Sequence, residues 1–444
     1  MEKYIANLME MGKLVEARNK IVELNEVDIA RLLENLEEDK ALMIFRLLPK
    51  DLAVSVFSYM TSAQQEFIIA SIADREIRNI VDNLFLDDTV DLLEEMPANI
   101  VKKILKNTSE GRRKLINQFL KYPENSAGSL MTIEFVDLKK EMTVKEALEH
   151  IRETGIDKET LDICYVIDQS RILEGVIPLR KLVLGEESAI IDDIMDTNII
   201  TIRTHDDQEE IASLFKKYDL LAVPVVDNER RLVGIITIDD IVDIIEEENT
   251  EDFQKMAAMA PLAEEYLETN IFVLAKHRII WLLILMVSAT FTGNIIRKYE
   301  EVLSSVVLLA AFIPMLMDTG GNAGSQSATL IIRGIALEEI GVKDLAKVIW
   351  KELRVSILVG LVLAAVNFVR IFYFERVDIR IALTVCISLF LTVVMAKIVG
   401  GALPILAKKI RLDPAIMASP LITTIVDAVA LVAYFSIASR LLLI

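Results

Sequence analysis

Residues 271–444 hold five long apolar stretches, and these constrain the chain more than any other feature. A helix that crosses a bilayer needs about 20 largely apolar residues. Ile279–Ile296 is uncharged between Arg278 and Arg297. Val302–Ile332 has one charge, Asp318; Ile381–Ala407 has one, Lys397; Pro414–Ser439 has one, Asp427. Val355–Val369 has none and continues through Ile371-Phe372-Tyr373-Phe374. Buried helices of a soluble core keep a polar stripe, and these runs lack one. Five membrane-spanning helices are expected, with Lys397 snorkelling to the cytoplasmic edge of the fourth.

Basic residues in the loops orient such helices, because they stay on the cytoplasmic side. Ten lie on the side of the preceding residues: Lys276, Arg278, Arg333, Lys343, Lys347, Lys351, Arg354, Lys408, Lys409 and Arg411. Five lie opposite: Arg297, Lys298, Arg370, Arg376 and Arg380. The N-terminal half is therefore expected in the cytoplasm. Five spans then leave Ile444 outside a cell (plasma or inner) membrane.

The charge is just as uneven. Residues 1–270 hold 56 acidic and 31 basic side chains, and residues 271–444 hold 11 and 17. So large an acidic excess repels nucleic-acid phosphate and attracts cations. Two cysteines, Cys164 and Cys386, are too few for a disulfide framework or a thiolate metal site. Met1–Lys20 has no signal-type apolar core. His150, His205 and His277 are scattered, and no Walker A, Gly-x-Ser-x-Gly or His-Glu-x-x-His motif occurs, so no catalytic activity is expected.

Residues 1–122 read as an all-α module. Apolar runs such as Ile29–Leu36, Ala41–Leu48, Val54–Met60 and Ile77–Leu84 recur about every 12 residues between acidic or proline turns. Helices this short cannot stand alone, and in series they stack into a superhelix. Residues 123–247 change period to an α/β pattern. Phe135–Leu138, Ile163–Asp168 and Leu173–Ile177 read as strands, with an amphipathic helix over Thr143–Glu153. The order repeats about 60 residues later as Ile199–Ile202, Asp207–Tyr218, Ala222–Asp227 and Leu232–Thr237. The copies divide at about 123–190 and 191–247. Residues 248–270 read as a connecting helix, and 271–444 as the all-α membrane domain.

The run Leu221-Ala222-Val223-Pro224-Val225-Val226-Asp227, followed by Arg231–Asp240, resembles a CBS domain. Two further motifs extend the resemblance. Ala127-Gly128-Ser129-Leu130-Met131-Thr132 leads into the first copy, and Pro314–Ser327 carries Asp318-Thr319-Gly320-Gly321-Asn322-Ala323-Gly324 inside the second span. The whole layout is similar to the MgtE family of magnesium channels. That resemblance implies a homodimer in the lipid bilayer, with the pore at the subunit interface and divalent cations as cargo and regulators.

The residues themselves suggest sites. An acid inside a bilayer is costly and marks function. Asp427 lies 14 residues past Asp413, about 21 Å along a helix. A hard carboxylate oxygen suits Mg²⁺, which keeps several of its waters, and the resemblance makes Asp427 the pore acid. Thr423, one turn before it, either bonds the ion's waters or is small for close packing; Ser419 shares that face. Asp413 either caps the fifth helix or touches a cation at the pore mouth. Asn322 is the pore-lining candidate of the second span, with Asp318 and Ser325 alongside.

Asp239–Asp252 is dense in carboxylates, with Asp240, Asp243, Glu247 and Glu251 on one helical face and Glu248 and Asp252 beside them. Stacked like charges destabilise a helix unless cations neutralise them. The resemblance implies that regulatory Mg²⁺ bridges this run to Asp207, Glu209 and Asp219 of the second CBS copy, to Asp87 and Asp91 of the helical module, and to Glu134. Cytosolic Mg²⁺ would then close the pore through the connecting helix. Thr237 and Asp240 match a Thr-x-x-Asp pattern for a nucleotide ribose, with Arg180 for the phosphates of ATP. Other readings remain open: a channel for Mn²⁺ or Co²⁺, an efflux route, or a CBS-gated anion channel.

Overall fold

A computed structural model describes residues 5, 8, 11–262, 266, 267 and 269–442. The chain divides into two compact units, Met1–Ile245 and Glu246–Ile444.

The first unit begins with short helices. Among the described residues they include Glu26–Glu34, Glu38–Leu47, Lys50–Ser58, Ser62–Ser71, Asp74–Asn83, Leu86–Glu95, Ala98–Asn107 and Glu110–Phe119. Glu26–Glu34 packs on Lys50–Ser58, that on Asp74–Asn83, and that on Ala98–Asn107, so alternate helices form the layers of a superhelix. Basic side chains stitch the layers by supplying donors to carbonyls that a helix leaves unpaired at its C-terminal end. Arg18 reaches the Leu47 carbonyl at 2.8 Å, Arg46 the Ser71 carbonyl at 3.0 Å and Arg78 the Asn107 carbonyl at 3.0 Å.

Two three-stranded sheets follow: β1 (Asp137–Leu138), β2 (Ile163–Ile167) and β3 (Leu173–Pro178), then β4 (Ile202–Arg203), β5 (Ala222–Val226) and β6 (Leu232–Thr237). In each the first pair is parallel and the second antiparallel. The parallel pairs need helical crossovers, and Val144–Thr154 and Gln208–Tyr218 provide them. Thr143 and Asp207 cap these helices by accepting from the backbone of Glu146 and Glu209. The hairpin turns are copies of one another. Asp168 accepts from the Ser170 and Ile172 amides, and Asp227 from the Glu229 and Arg231 amides. The two β1 and β4 strands are shorter than the sequence pattern suggested, because only two residues of each find ladder partners.

Phe135, Tyr165, Leu173, Val226, Leu232 and Ile235 form an apolar seam between the copies. The first copy has its own core around Val136, Ile151, Val166 and Ile177. The second copy shares its core with the superhelix: Phe215, Val223, Ile236 and Ile241 belong to the cluster that holds Phe57, Ile80 and Val90.

A long helix, α1 (Ile238–Met256), runs from the end of the second copy. The connecting helix expected over 248–270 thus starts earlier, continuous with β6, and ends at Met256; positions 263–265 and 268 lie outside the described residues. Five helices are long and apolar enough to cross a membrane. They contain α2 (Ile271–Lys298), α3 (Ile313–Ala336), α4 (Leu345–Val369), α5 (Ile379–Lys409) and α6 (Ser419–Leu441). The second span does not run straight from Val302 as the apolar pattern suggested. Glu300–Ser305 is a separate turn of helix, Val307–Phe312 is 3₁₀, and Pro314 opens α3, where its missing N–H costs nothing. Helix α5 packs on α3, α4 and α6, while α2 leans on α6 and buries no residue fully.

Candidate functional site

The membrane unit is built around close backbone approaches, as expected where lipid offers no hydrophobic drive and small residues allow contact. A Cβ on Gly321 of α3 would lie 2.9 Å from Thr423 Cγ2 of α6, and one on Gly320 would lie 2.9 Å from Val426. The Gly-Gly-Asn stretch is therefore pressed against the turn of α6 that precedes Asp427. Asp427 is half-buried, and its Oδ1 is sealed from solvent without a hydrogen-bond partner among the described residues. An oxygen left so is expensive, and a cation or its waters would relieve it. Asp318, Asn322 and Gln326 lie at i, i+4 and i+8 of α3 on an exposed face, with Ser325 partly covered beside them. The side chain of Ser419 lies outside the described residues.

Asp413 does two things at once. It caps the 3₁₀ turn Pro414–Met417 by accepting from the Ala415 amide at 2.8 Å, and it accepts from Lys255 Nζ at 2.6 Å. Lys255 also pairs with Glu251 one turn earlier on α1. The cation at this position is thus the chain's own ammonium. Asp252 beside it is pushed up to about 6, chiefly by burial and then by Asp413. Glu248 lies close enough to raise it further.

Lys397 does not snorkel. It is buried, and its Nζ donates to Ser327 Oγ, which donates to a buried Glu352. The polar partners keep it inside.

The first unit gathers a second set of carboxylates. A cleft of about 330 Å³ between the helical module and the second CBS copy is lined by Asp87, Asp88, Glu159, Asp239, Asp240 and Asp243, with Tyr59 and Ser58 at its walls. Local geometry places them. Asp87 and Asp88 open the helix Leu86–Glu95, Asp239 and Asp240 open α1, and Thr237 Oγ1 donates to Asp240 at 2.9 Å. Glu134 accepts from Thr132 Oγ1 and the Ile133 amide. Burial raises the pKa of Asp87, Asp88, Glu159 and Asp240, and neighbouring carboxylates add to it. Asp87 is held well above the carboxylate range by burial, then Asp240, Asp88 and Glu159. Asp88 is pushed up to about 6 by burial and Asp239. Burial also pushes Asp240 to about 6, against the Thr237 hydrogen bond, and Glu159 to about 8, with Asp240 and Asp239 adding. Asp91 is raised in the same way but opens to solvent, which screens it, so the weight rests on the other four. Arg112, hydrogen-bonded to Thr89 Oγ1, is near enough to feel Glu134 and Asp87.

Among the described residues no three such side chains converge as a direct metal cage. Mg²⁺ needs none, because it keeps much of its water and takes one or two carboxylates. Glu159 was not singled out from the sequence. It sits in a turn without periodicity, and only the tertiary fold carries it to Asp240. Asp207 and Asp219, expected as cation partners, lie at the two ends of the helix Gln208–Tyr218: Asp207 caps it, and Asp219 closes it with φ 51°. Glu209 lies on its first turn. The nucleotide residues are not brought to one cleft. Arg180 lines a separate hollow with Pro178, Lys181, Leu184 and Glu186, while Asp240 faces Asp87.

Raised carboxylate pKa values mean that the folded unit holds protons the unfolded chain would release. Its stability is fully present below about pH 4 and is lost as pH rises through about 6 to 8. The soluble half is expected to melt roughly 5–10 °C lower at pH ~8 than at pH ~5 in a divalent-free buffer. Millimolar Mg²⁺ at the higher pH should restore the loss. Scanning calorimetry at the two pH values checks this, and a melting point flat across them would refute it.

Five helices apolar enough to cross a membrane, one of them carrying Asp427, in a chain that also holds a CBS pair and an acidic cleft, define a multi-pass membrane protein of the ion-transport class. Three family domains match the chain: the MgtE intracellular N domain over 24–125, a CBS domain over 191–247 and the MgtE divalent cation transporter domain over 313–437. The magnesium transporter MgtE of Thermus thermophilus is 36% identical over 99% of both chains. That of Bacillus subtilis is 33% identical over 97% of this chain and 95% of its own. The cytosolic domain of the Mg²⁺ channel MgtE in complex with ATP has 31% sequence identity and a TM-score of 0.53, over 55% of this chain and all of that one. The chain belongs to the MgtE family.

Proposed function

We propose that this protein is a Mg²⁺-selective channel for magnesium uptake, gated by Mg²⁺ from the cytosol. The observation that carries it is the sealed, partnerless oxygen of Asp427 beside the Gly-Gly-Asn stretch. In this reading Asp427 holds a hydrated ion, Thr423 and Asn322 bond its waters, and Asp413 stands at the cytoplasmic mouth. The exposed polar face of Asp318, Asn322 and Gln326 is costly against lipid. A second copy of the chain facing it across a wet pathway removes that cost, which supports a homodimer. The relatives' names as magnesium transporters support the ion.

Regulation follows from charge. The cleft of Asp87, Asp88, Glu159, Asp240 and Asp243 repels itself, and cytosolic Mg²⁺ relieves the repulsion. Glu248, Glu251 and Asp252 extend the acidic run along α1. ATP at the CBS pair is supported by the ATP-bound relative, with Arg180 and Lys181 offering cationic donors to phosphate.

A second reading, a broader channel that also passes Mn²⁺ or Co²⁺, draws on the all-oxygen donor set, which separates these ions weakly. Ion flux into liposomes containing the purified protein tests both. Mg²⁺ flux well above that of Mn²⁺, Co²⁺ and Ca²⁺, with no Cl⁻ flux, is expected. Equal Mn²⁺ and Mg²⁺ flux would favour the broader channel, and Cl⁻ flux alone would defeat both.

Topology is a separate expectation. With the basic loops inside, a reporter after Ile444 should be outside the cell membrane and one before Met1 inside; both chain ends lie outside the described residues. Both reporters on one side would refute the five-span orientation.

A further inference from the structure

Three buried polar side chains of the membrane unit have no part in the ion pathway proposed above. Glu352 of α4 is 9% exposed, Lys397 of α5 5% and Ser327 of α3 1%. Lys397 Nζ donates to Ser327 Oγ at 3.5 Å, and Ser327 Oγ donates to Glu352 Oε2 at 2.6 Å. The order suits the chemistry: an ammonium only donates, a hydroxyl does both, and a carboxylate only accepts. A lone acid or a lone base here would be costly, and one of each joined by a hydroxyl is far less so.

The backbones confirm that this is a joint. A Cβ on Gly400 of α5 would collide with the Gly324 backbone of α3, and one on Gly401 would lie 3.0 Å from Glu352 Cγ of α4. Three helices therefore approach closely around the polar trio, with Ile331, Ile335, Val348 and Ile405 packed beside it. Ser327 lies five residues after Asn322, about 7.5 Å along α3.

The geometry points to Lys397 and Glu352 as positioning residues for ion permeation. Acting through Ser327, they fix the rotation and depth of α3, and so hold Asn322 beside the α6 turn that leads to Asp427. Neither touches the ion. The inference rests on the reading that Asn322 and Asp427 line the pathway.

Full-length protein in liposomes tests it, with K397M, K397R, E352Q and the double variant E352Q/K397M against the native chain. K397M should lower maximal Mg²⁺ flux about tenfold and leave the half-saturating Mg²⁺ concentration unchanged, since ion contacts are intact. K397R should keep most of the flux. E352Q/K397M should recover flux over either single variant, and melting temperatures in detergent should show the same non-additivity. If K397M does not purify as a single species, recovery of a monodisperse double variant supports the pair, and its equal loss overturns it. Native flux in a folded K397M, or additive melting effects, also overturns it. Absent Mg²⁺ flux in the native protein would instead sink the channel reading, while the melting cycle still decides the pairing.

Discussion

Asp427→Asn channels are expected to lose Mg²⁺ flux by at least about a hundredfold while eluting and melting like the native protein. A divalent ion and a carboxylate at about 5 Å attract by several kcal/mol at an effective dielectric near 20, and each 1.4 kcal/mol is roughly tenfold. The amide keeps the size and removes the charge. Because Asp427 Oδ1 has no protein partner among the described residues, no hydrogen bond is lost with it, so stability should hold or rise. Thr423→Ala should cost much less, since a hydroxyl contributes one neutral hydrogen bond to an ion's water. Full flux in a folded Asp427→Asn protein would end the pore assignment.

The second large effect concerns the soluble cleft. Two like charges at about 5 Å repel by about 3 kcal/mol at that dielectric, and Asp87, Asp88, Glu159 and Asp240 share one hollow. Mg²⁺ binding to the compact arrangement shifts the balance by its differential affinity for that state. Limited proteolysis of residues 1–245 should slow severalfold in millimolar Mg²⁺, and not in a monovalent salt of equal ionic strength. The quadruple variant Asp87→Asn, Asp88→Asn, Glu159→Gln and Asp240→Asn removes repulsion and binding together. Its cleavage should be equally slow with and without Mg²⁺, and flux through the full-length variant should no longer respond to cytosolic Mg²⁺. Native cleavage that ignores Mg²⁺ would show the acidic cleft to be solvated surface only.

Much of the fold is written in short-range pattern. The spans follow from runs without charge, and the CBS copies from an order of strands and helix that repeats about 60 residues on. What the pattern conceals is which surfaces meet. Glu159 has no local signal, because its company is Asp240, 81 residues away. Lys397 looked like an edge residue because its partners, Ser327 and Glu352, lie on two other helices. Glu352 drew no reading from the sequence, lying between Lys351 and Arg354, though its side of α4 faces Gly401. Asp207 and Asp219 show a further side of this: the pattern marks them as acids, and the fold also gives them the two ends of the helix Gln208–Tyr218.

The salt link from Lys255 to Asp413 has a consequence for any experiment that strips divalent ions. A chelator empties a metal site, but it cannot remove an ammonium that is part of the polypeptide. The effective concentration of this cation at Asp413 is set by the tether of α1 and does not follow the cell's supply. Depletion of divalent ions therefore leaves this contact made, and only a change to Lys255 or Asp413 themselves removes it.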